Sequence, residues 1–342
     1  MRTPAVYEAN MSREFLAGAI HCGNKIPSTV LLPGEYPMSA GIDEAARSRW
    51  ELWLLVASVS FVSIGLAAYE IVPASVTPVI RDSLGVTPAA AGFVVGVMFG
   101  TAVLTSLPAG VILDRTNSRT AMLVAVCLGC VAGVIGWLAA LHGEYEILIA
   151  SRALGGAAYV VVWNAGIDIV SRAASDDYRA TAVGVFTASG PVGFALGQGT
   201  GPLITAYSGW PTIFLIFTGI PLLGMAVFWP VSRGLGRSSS GAPSVAELMT
   251  VVRNRHVLFV GGIGFLGYGL YLFVNSWGAT YLTESVGLSL AVSGLLVAIF
   301  PAVGVLARVS SGAISDRLFA GRRRPVVLGS FLVATPILLG FT

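Results

Sequence analysis

The chain has 342 residues, of which 11% are charged and 55% apolar, against about 25% charged residues in an ordinary soluble domain. So few charges cannot cover a soluble particle of 35.4 kDa, whereas a lipid-facing surface needs none, so a soluble globular fold is excluded. The formal net charge is +3, and of twenty basic residues only Lys25 is not arginine; their placement, rather than their sum, carries the meaning.

In chain order, residues 1–50 scatter charges, prolines and glycines with no apolar stretch of signal-peptide length. The expectation there is a disordered tail, or sequence upstream of the true start, since Met38 opens a shorter leader. Nine apolar runs long enough to span a bilayer follow, with approximate limits 52–78, 89–112, 120–141, 147–170, 180–206, 212–231, 257–282, 290–313 and 325–342. Connections are short except for the polar stretch 232–256, which divides a six-span half, 51–231, from three further spans, 257–342. The expected fold is an all-α multi-pass membrane protein with about nine transmembrane helices.

Lysine and arginine are retained on the cytoplasmic side of a bacterial membrane. An amino terminus placed inside puts Arg47, Arg49, Arg115, Arg119, Arg172, Arg179, Arg233, Arg237, Arg253, Arg255, Arg317, Arg322, Arg323 and Arg324 in the cytoplasm and leaves only Arg81 outside. The alternation holds at every loop. Cys127 and Cys130 form a CxxC inside an apolar run with no βαβ pattern around it, which reads as packing. His21, His142 and His256 lie in the tail or near span ends without metal spacing, and no glycine-rich phosphate loop follows a strand, so neither an enzyme nor a cofactor is expected. The arginines are spread over loops with no interleaved aromatic patch, which argues against nucleic-acid binding.

An ungapped internal repeat runs over about fifty residues at a spacing of 202. Gly65, Tyr69, Ser83, Gly85, Gly92, Gly110, Asp114 and Arg115 recur as Gly267, Tyr271, Ser285, Gly287, Gly294, Gly312, Asp316 and Arg317. Spans 1 and 2 therefore correspond to spans 7 and 8, which implies parallel halves related by an axis along the membrane normal.

The stretch Gly110-Val-Ile-Leu-Asp114-Arg115-Thr-Asn-Ser-Arg119 resembles the signature between helices 2 and 3 of the major facilitator superfamily. Arg152 with Gly155 and Gly156, and Gly197-Gln-Gly-Thr-Gly201-Pro202, resemble further family signatures in spans 4 and 5. Asn117 stands where the family usually has glycine, which Asn's tolerance of left-handed angles accommodates, and Ser118 replaces a common basic residue. The resemblance implies two six-helix halves that rock around a midplane site in a multi-pass protein of the prokaryotic cell membrane, with its amino terminus cytoplasmic. Family members generally have twelve helices, and this chain reaches Thr342 in or just after the ninth. A fragment or truncated reading frame is the favoured expectation, a two-chain assembly the other.

The resemblance makes Gly110, Asp114, Arg115 and Arg119, with Gly312, Asp316 and Arg317, a cytoplasmic gate latch, and Arg179 a counter-charge for Asp114. Gly110 is expected to permit close helix approach; interfacial charges that merely fix orientation are the plainer reading. Within the spans, ionisable groups are costly, which singles out Glu70 and Arg152. At 1.5 Å per residue their depths agree, so they are expected to pair, Glu70 as proton-coupling acid and Arg152 as modulator or anion ligand, or both as a static ion pair. Burial disfavours the charged carboxylate and the cation favours it.

Arg152, Gly156, Tyr159 and Trp163 share a helix face, with Asn164 adjacent; Tyr69, Tyr268, Tyr271 and Asn275 complete an expected aromatic and amide lining suited to amphipathic organic solutes. Asp168 reads as interfacial and Arg308 as able to snorkel inward. Ser189, Gly193, Gly197 and Gly201 recur at four-residue steps beside Pro191 and Pro202, a stripe for close helix packing that resembles a pattern of family exchangers, although Ala188 and Thr205 replace further glycines. The expected function is proton-coupled efflux of a small organic solute by alternating access, with protons and the bilayer as partners. Uptake of a metabolite or organic anion and a non-transporting sensor are the alternatives.

Overall fold

The computed structural model describes residues 48–235, 249–250, 253–319 and 323–339; the expectations about the tail, about the linker core at 236–248 and about the last three residues fall outside these. The described residues form α1 (Arg49–Ile71), a 3₁₀ segment (Val72–Val76), α2 (Thr77–Leu84), α3 (Pro88–Arg115), α4 (Ser118–His142), α5 (Tyr145–Ala173), α6 (Asp176–Ser208), α7 (Thr212–Val231), α8 (Arg255–Glu284), α9 (Leu290–Leu318) and α10 (Arg323–Leu339). With α1, the 3₁₀ segment and α2 taken as one path of 36 residues, eight of the described helical segments are long and apolar enough to cross a membrane. The last helix, α10, has 17 residues, at the short end of the ~17–25 that a bilayer needs.

Polar side chains set the helix starts. Ser48 and Glu51 exchange hydrogen bonds in a capping box at α1. Thr87, Asn117 and Asn254 each accept from a first-turn amide of α3, α4 and α8. Asn117 has φ −73°, so its service is to cap α4; the left-handed geometry that a glycine would supply is not used. The repeat mates Gly85 and Gly287 both have positive φ, 62° and 79°, so the same backbone reversal ends the outer run of span 1 and of span 7.

The core is built around α1. Of its apolar window 72% is buried, against none of the window of α8. It packs on α6 and α7, while α4 lies on α5, α3 on α5, α9 on α6 and α8 on α9. The small-residue stripe of α6 is what lets α1 approach: a Cβ on Gly193 would stand 2.5 Å from the Ile64 carbonyl oxygen and one on Gly197 2.9 Å from that of Ala68. Gly201 faces Val72 and the Ser75 hydroxyl, and Pro202 packs on Gly294 of α9. Along the same seam the Ser189 hydroxyl donates to that of Ser63 at 2.8 Å.

One proline shapes the outer part of this path. Pro73 has no N–H, so the Tyr69 carbonyl loses its i+4 donor. Beyond Ile71 the pattern tightens to 3₁₀, where the donor for the Glu70 carbonyl would be residue 73 again, so Glu70 is left unserved too. The bend continues with side chains serving its other carbonyls, Ser75 Oγ donating to Val72 at 2.8 Å and Thr77 Oγ1 to Pro73 at 3.0 Å.

Gly110 departs from expectation, because a Cβ there would meet nothing within 4 Å; at this position α3 is not pressed against a neighbour in this conformation. The two glycines therefore predict opposite outcomes. Gly193→Val is expected to lower stability by about 1–3 kcal/mol through overpacking, and Gly110→Ala to raise it by about 0.5–1 kcal/mol through helix propensity. Thermal unfolding in detergent checks both, and equal losses would contradict the packing described.

Candidate functional site

Arg152 on α5 is fully buried, at 0% exposure, and its guanidinium closes the gap that Pro73 opens. Nη1 donates to the Tyr69 carbonyl at 2.8 Å, Nη2 to the Glu70 carbonyl, and Nε to the Val94 carbonyl of α3 at 3.0 Å. The cation lies 4.6 Å above the Tyr69 ring, a further favourable contact between two fully buried groups. The planar fork of an arginine suits two adjacent oxygens in a way that a lysine point charge does not.

The expected ion pair is therefore replaced by a different link. Arg152 binds the main chain of Glu70, and among the described residues no salt bridge within 4 Å joins it to the Glu70 carboxylate. The reason is local: two orphaned carbonyls present a stronger demand for donors than a carboxylate that can turn aside.

The Glu70 side chain turns into a cavity of about 600 Å³ between α1, α3, α5, α6, α8 and α9. Glu70 is 3% exposed, and its carboxylate accepts no hydrogen bond from any described residue. Tyr159, Trp163, Tyr268 and Tyr271 line the same cavity as expected residues, joined by Arg308. Tyr159 and Trp163 meet edge to face at 6.3 Å. Phe194, Tyr271 and Tyr268 form a run of stacked rings, with centroids 5.8 and 5.7 Å apart.

Four expected lining residues face elsewhere. Tyr69 neighbours Glu70 and so points about 100° away around the helix, into a fully buried contact with Phe214. Arg152 sits two turns before Tyr159, beside the break in α1 rather than at the cavity wall. Asn164 is not among the lining residues. Asn275 is buried against α6: its side chain donates to the Tyr271 carbonyl at 2.8 Å and its carbonyl accepts from Gln198. Gln198 and Arg308 are the residues that sequence reasoning underused. Arg308, a charge inside a span, was the available signal; its Nη1 donates to the Thr187 carbonyl of α6 at 2.8 Å.

At the end of the bundle bearing Arg81, the first six spans meet α8. Arg81 bonds both Asp82 and Glu284, and the Trp277 indole lies on Gly92. At the Asp114 end only the first-half members of the expected latch have described side chains. Asp114 makes no ion pair with Arg179, whose Nε donates to the Ser171 carbonyl at 2.9 Å. Arg115 is exposed. Arg119 is tied to α7, with Nε on Ser232 Oγ at 2.9 Å and its guanidinium 3.8 Å above the Trp229 ring. Ser118 donates to Asp168, which pairs with Arg172 at 2.6 Å. The side chains of Gly312, Asp316 and Arg317 lie outside the described residues.

Comparison with known proteins agrees with this architecture. The family model of the Major Facilitator Superfamily matches residues 53–342. The probable nitrate/nitrite antiporter NarK1 of Thermus thermophilus is 26% identical over 278 residues, covering 76% of this chain and 60% of that protein. The transcription regulatory protein OpdE of Pseudomonas aeruginosa is 29% identical over 203 residues, covering 58% and 48%. The fold matches that of a bacterial homologue of the human lysosomal transporter Spinster, in an inward-facing and unoccupied conformation, with a TM-score of 0.61 at 15% identity over 81% of this chain and 65% of that one. The chain thus spans about half to two thirds of the length of these relatives.

If Arg152 serves the carbonyls that Pro73 orphans, the two residues are coupled. Arg152→Gln is expected to cost about 2 kcal/mol or more by leaving buried acceptors unmet, and Pro73→Ala, which restores an N–H, to recover part of that loss. A double-mutant cycle of unfolding in detergent measures the coupling; strict additivity would contradict it.

Proposed function

The chain belongs to the Major Facilitator Superfamily, and from that premise we propose that it carries a small organic solute across the cytoplasmic membrane of a prokaryote by alternating access, in exchange for protons. The observation that carries this reading is the Glu70 carboxylate, turned without a hydrogen-bond partner into an aromatic cavity between the spans. An ionised carboxylate is costly in a dehydrated space. It is relieved by a proton or by the cationic group of a solute, and competition between the two for one acid gives exchange. Arg152 is a positioning residue in this scheme, since it fixes the main chain from which Glu70 projects.

The arginine-rich loops support a cytoplasmic Asp114 end, and on that reading the contacts of Arg81 with Glu284 and of Trp277 with Gly92 close the outer end. The cavity residues lie on the cytoplasmic side of that closure, the arrangement in which an exporter loads. Asp114, Arg115 and Arg119, with Asp316 and Arg317, are then the charges that meet when the cytoplasmic end closes. The description of the Thermus relative as an antiporter supports exchange. A sensor that binds without transporting is the second reading, favoured by the description of the Pseudomonas relative as a transcription regulatory protein.

Reconstitution of the full chain in proteoliposomes separates these readings. Glu70→Gln is expected to abolish solute movement driven by a proton gradient while solute counterflow persists at raised solute concentration, because the proton step needs the ionisable group whereas the solute loses one of its contacts. An unchanged response to the gradient in the variant would contradict the role of Glu70. Solute-induced thermal stabilisation without any counterflow would favour the sensor.

A further inference from the structure

The device that joins Arg152 to α1 recurs on α6, this time across the two halves. Pro191 and Pro202 both lie inside α6, and neither has an N–H, so the carbonyls of Thr187 and Gln198, four residues before each, lose their helical donors. Residues 187 and 198 are eleven positions apart, close to three turns, so both carbonyls lie on nearly one face of α6, ~16 Å apart along it at 1.5 Å per residue. That face meets α9 of the second half at both points. A Cβ on Gly294 would stand 2.6 Å from the Gln198 carbonyl oxygen, and Arg308 Nη1 donates to the Thr187 carbonyl at 2.8 Å.

The two contacts differ in kind. Gly294 lets the helices touch and brings no side-chain donor, whereas Arg308 reaches its carbonyl from a distance. On α9 the two residues are fourteen positions apart, ~21 Å, and a helical side chain points back toward the amino terminus of its helix, so the arginine stem takes up the difference. We propose that Arg308 is a positioning residue of the seam between the halves. It clasps α9 to the carbonyl that Pro191 vacates and so sets the register of the two helices at the cavity wall, where Pro191 and Arg308 both lie. Gly294 on Gln198 is the fixed point about which that end turns. The clasp uses one of five N–H donors and is indifferent to what the others bond; the exposure of the Arg308 side chain lets it release when the halves rock. A carbonyl without a helical donor is costly to leave unmet in a bilayer, so the bond has a reason to form again. Ser106, the repeat mate of Arg308, turns its hydroxyl to the Val103 carbonyl of its own helix, so the first half does not repeat the clasp at that position. The role is independent of which solute is carried.

Nitroxide pairs in the full chain, in nanodiscs and with Cys22, Cys127 and Cys130 replaced by serine, test the clasp. Dipolar broadening in continuous-wave EPR is read for an inner pair, Val185→Cys with Leu306→Cys, and an outer pair, Leu203→Cys with Val292→Cys, all at exposed positions. Arg308→Met is expected to lower the ratio of close to separated inner pairs about tenfold, the worth of one charge-assisted bond to a carbonyl, and to leave the outer pair unmoved. Arg308→Lys, which keeps a donor, restores part of the ratio, and Pro191→Ala, which returns the helical donor to Thr187, shrinks the effect of Arg308→Met. An inner pair unmoved by Arg308→Met, equal loosening of both pairs, or the same effect with and without Pro191→Ala would overturn the assignment. Should Arg308→Met fail to insert, dipolar recoupling in the wild-type chain between guanidinium ¹⁵N and the Thr187 carbonyl ¹³C decides: a separation within about 4 Å supports the clasp, and the absence of coupling overturns it.

Discussion

A guanidinium that stands in for missing backbone donors is the constraint on which the rest of the molecule depends. Pro73 makes the first span bend where two main-chain carbonyls must otherwise lie buried and unpaired, a condition that hydrocarbon does not tolerate. Arg152 meets both and ties them to α3 through Val94. Three spans are thereby fixed at one depth. The peptide that carries Glu70 is held from behind, and its side chain is left to face the cavity. A buried arginine that would be expensive alone becomes tenable because its partners have nothing else to bond.

The internal repeat shows how much of this is specific to the first half. At the spacing of 202, Asn275 occupies the position of Pro73 and Leu272 that of Glu70. The seventh span accordingly runs as one helix from Arg255 to Glu284, with the Tyr271 carbonyl accepting an additional bond from the Asn275 side chain. The same repeated pattern of glycines and tyrosines supports an interrupted, charged span in one half and a continuous, aromatic one in the other. The asymmetry gives the cavity one wall that handles a charge and one that offers ring surface.

Much of the architecture was legible because it follows from solvent and periodicity: the spans, and the internal repeat that relates the first two to the seventh and eighth, are written in the order of apolar and small residues. The close seam between α6 and α1 was legible from small residues at four-residue steps. Side-chain direction near the bend was not. Equal depth suggested that Glu70 and Arg152 would pair through their charges, yet the donor demand of the carbonyls is a property of Pro73, three residues further on. Tyr69 and Asn275 were misplaced for different reasons: Tyr69 is a step of about 100° around α1 from Glu70, and a buried amide serves a backbone as readily as a ligand. Arg308 was visible as a charge inside a span, but its place on the wall of the cavity depends on how α9 lies against α6.

The central claim is that Arg152 grips the main chain of Glu70 and not its carboxylate. Magic-angle-spinning NMR of the full chain in lipid, with ¹⁵N in the arginine guanidinium and ¹³C placed either in main-chain carbonyls or in glutamate Cδ, measures this by dipolar recoupling. The account predicts a guanidinium nitrogen within about 4 Å of the Glu70 carbonyl carbon, one hydrogen bond plus one C=O bond away, that is lost in Arg152→Gln. Strong coupling to the Glu70 Cδ with none to its carbonyl carbon would contradict it.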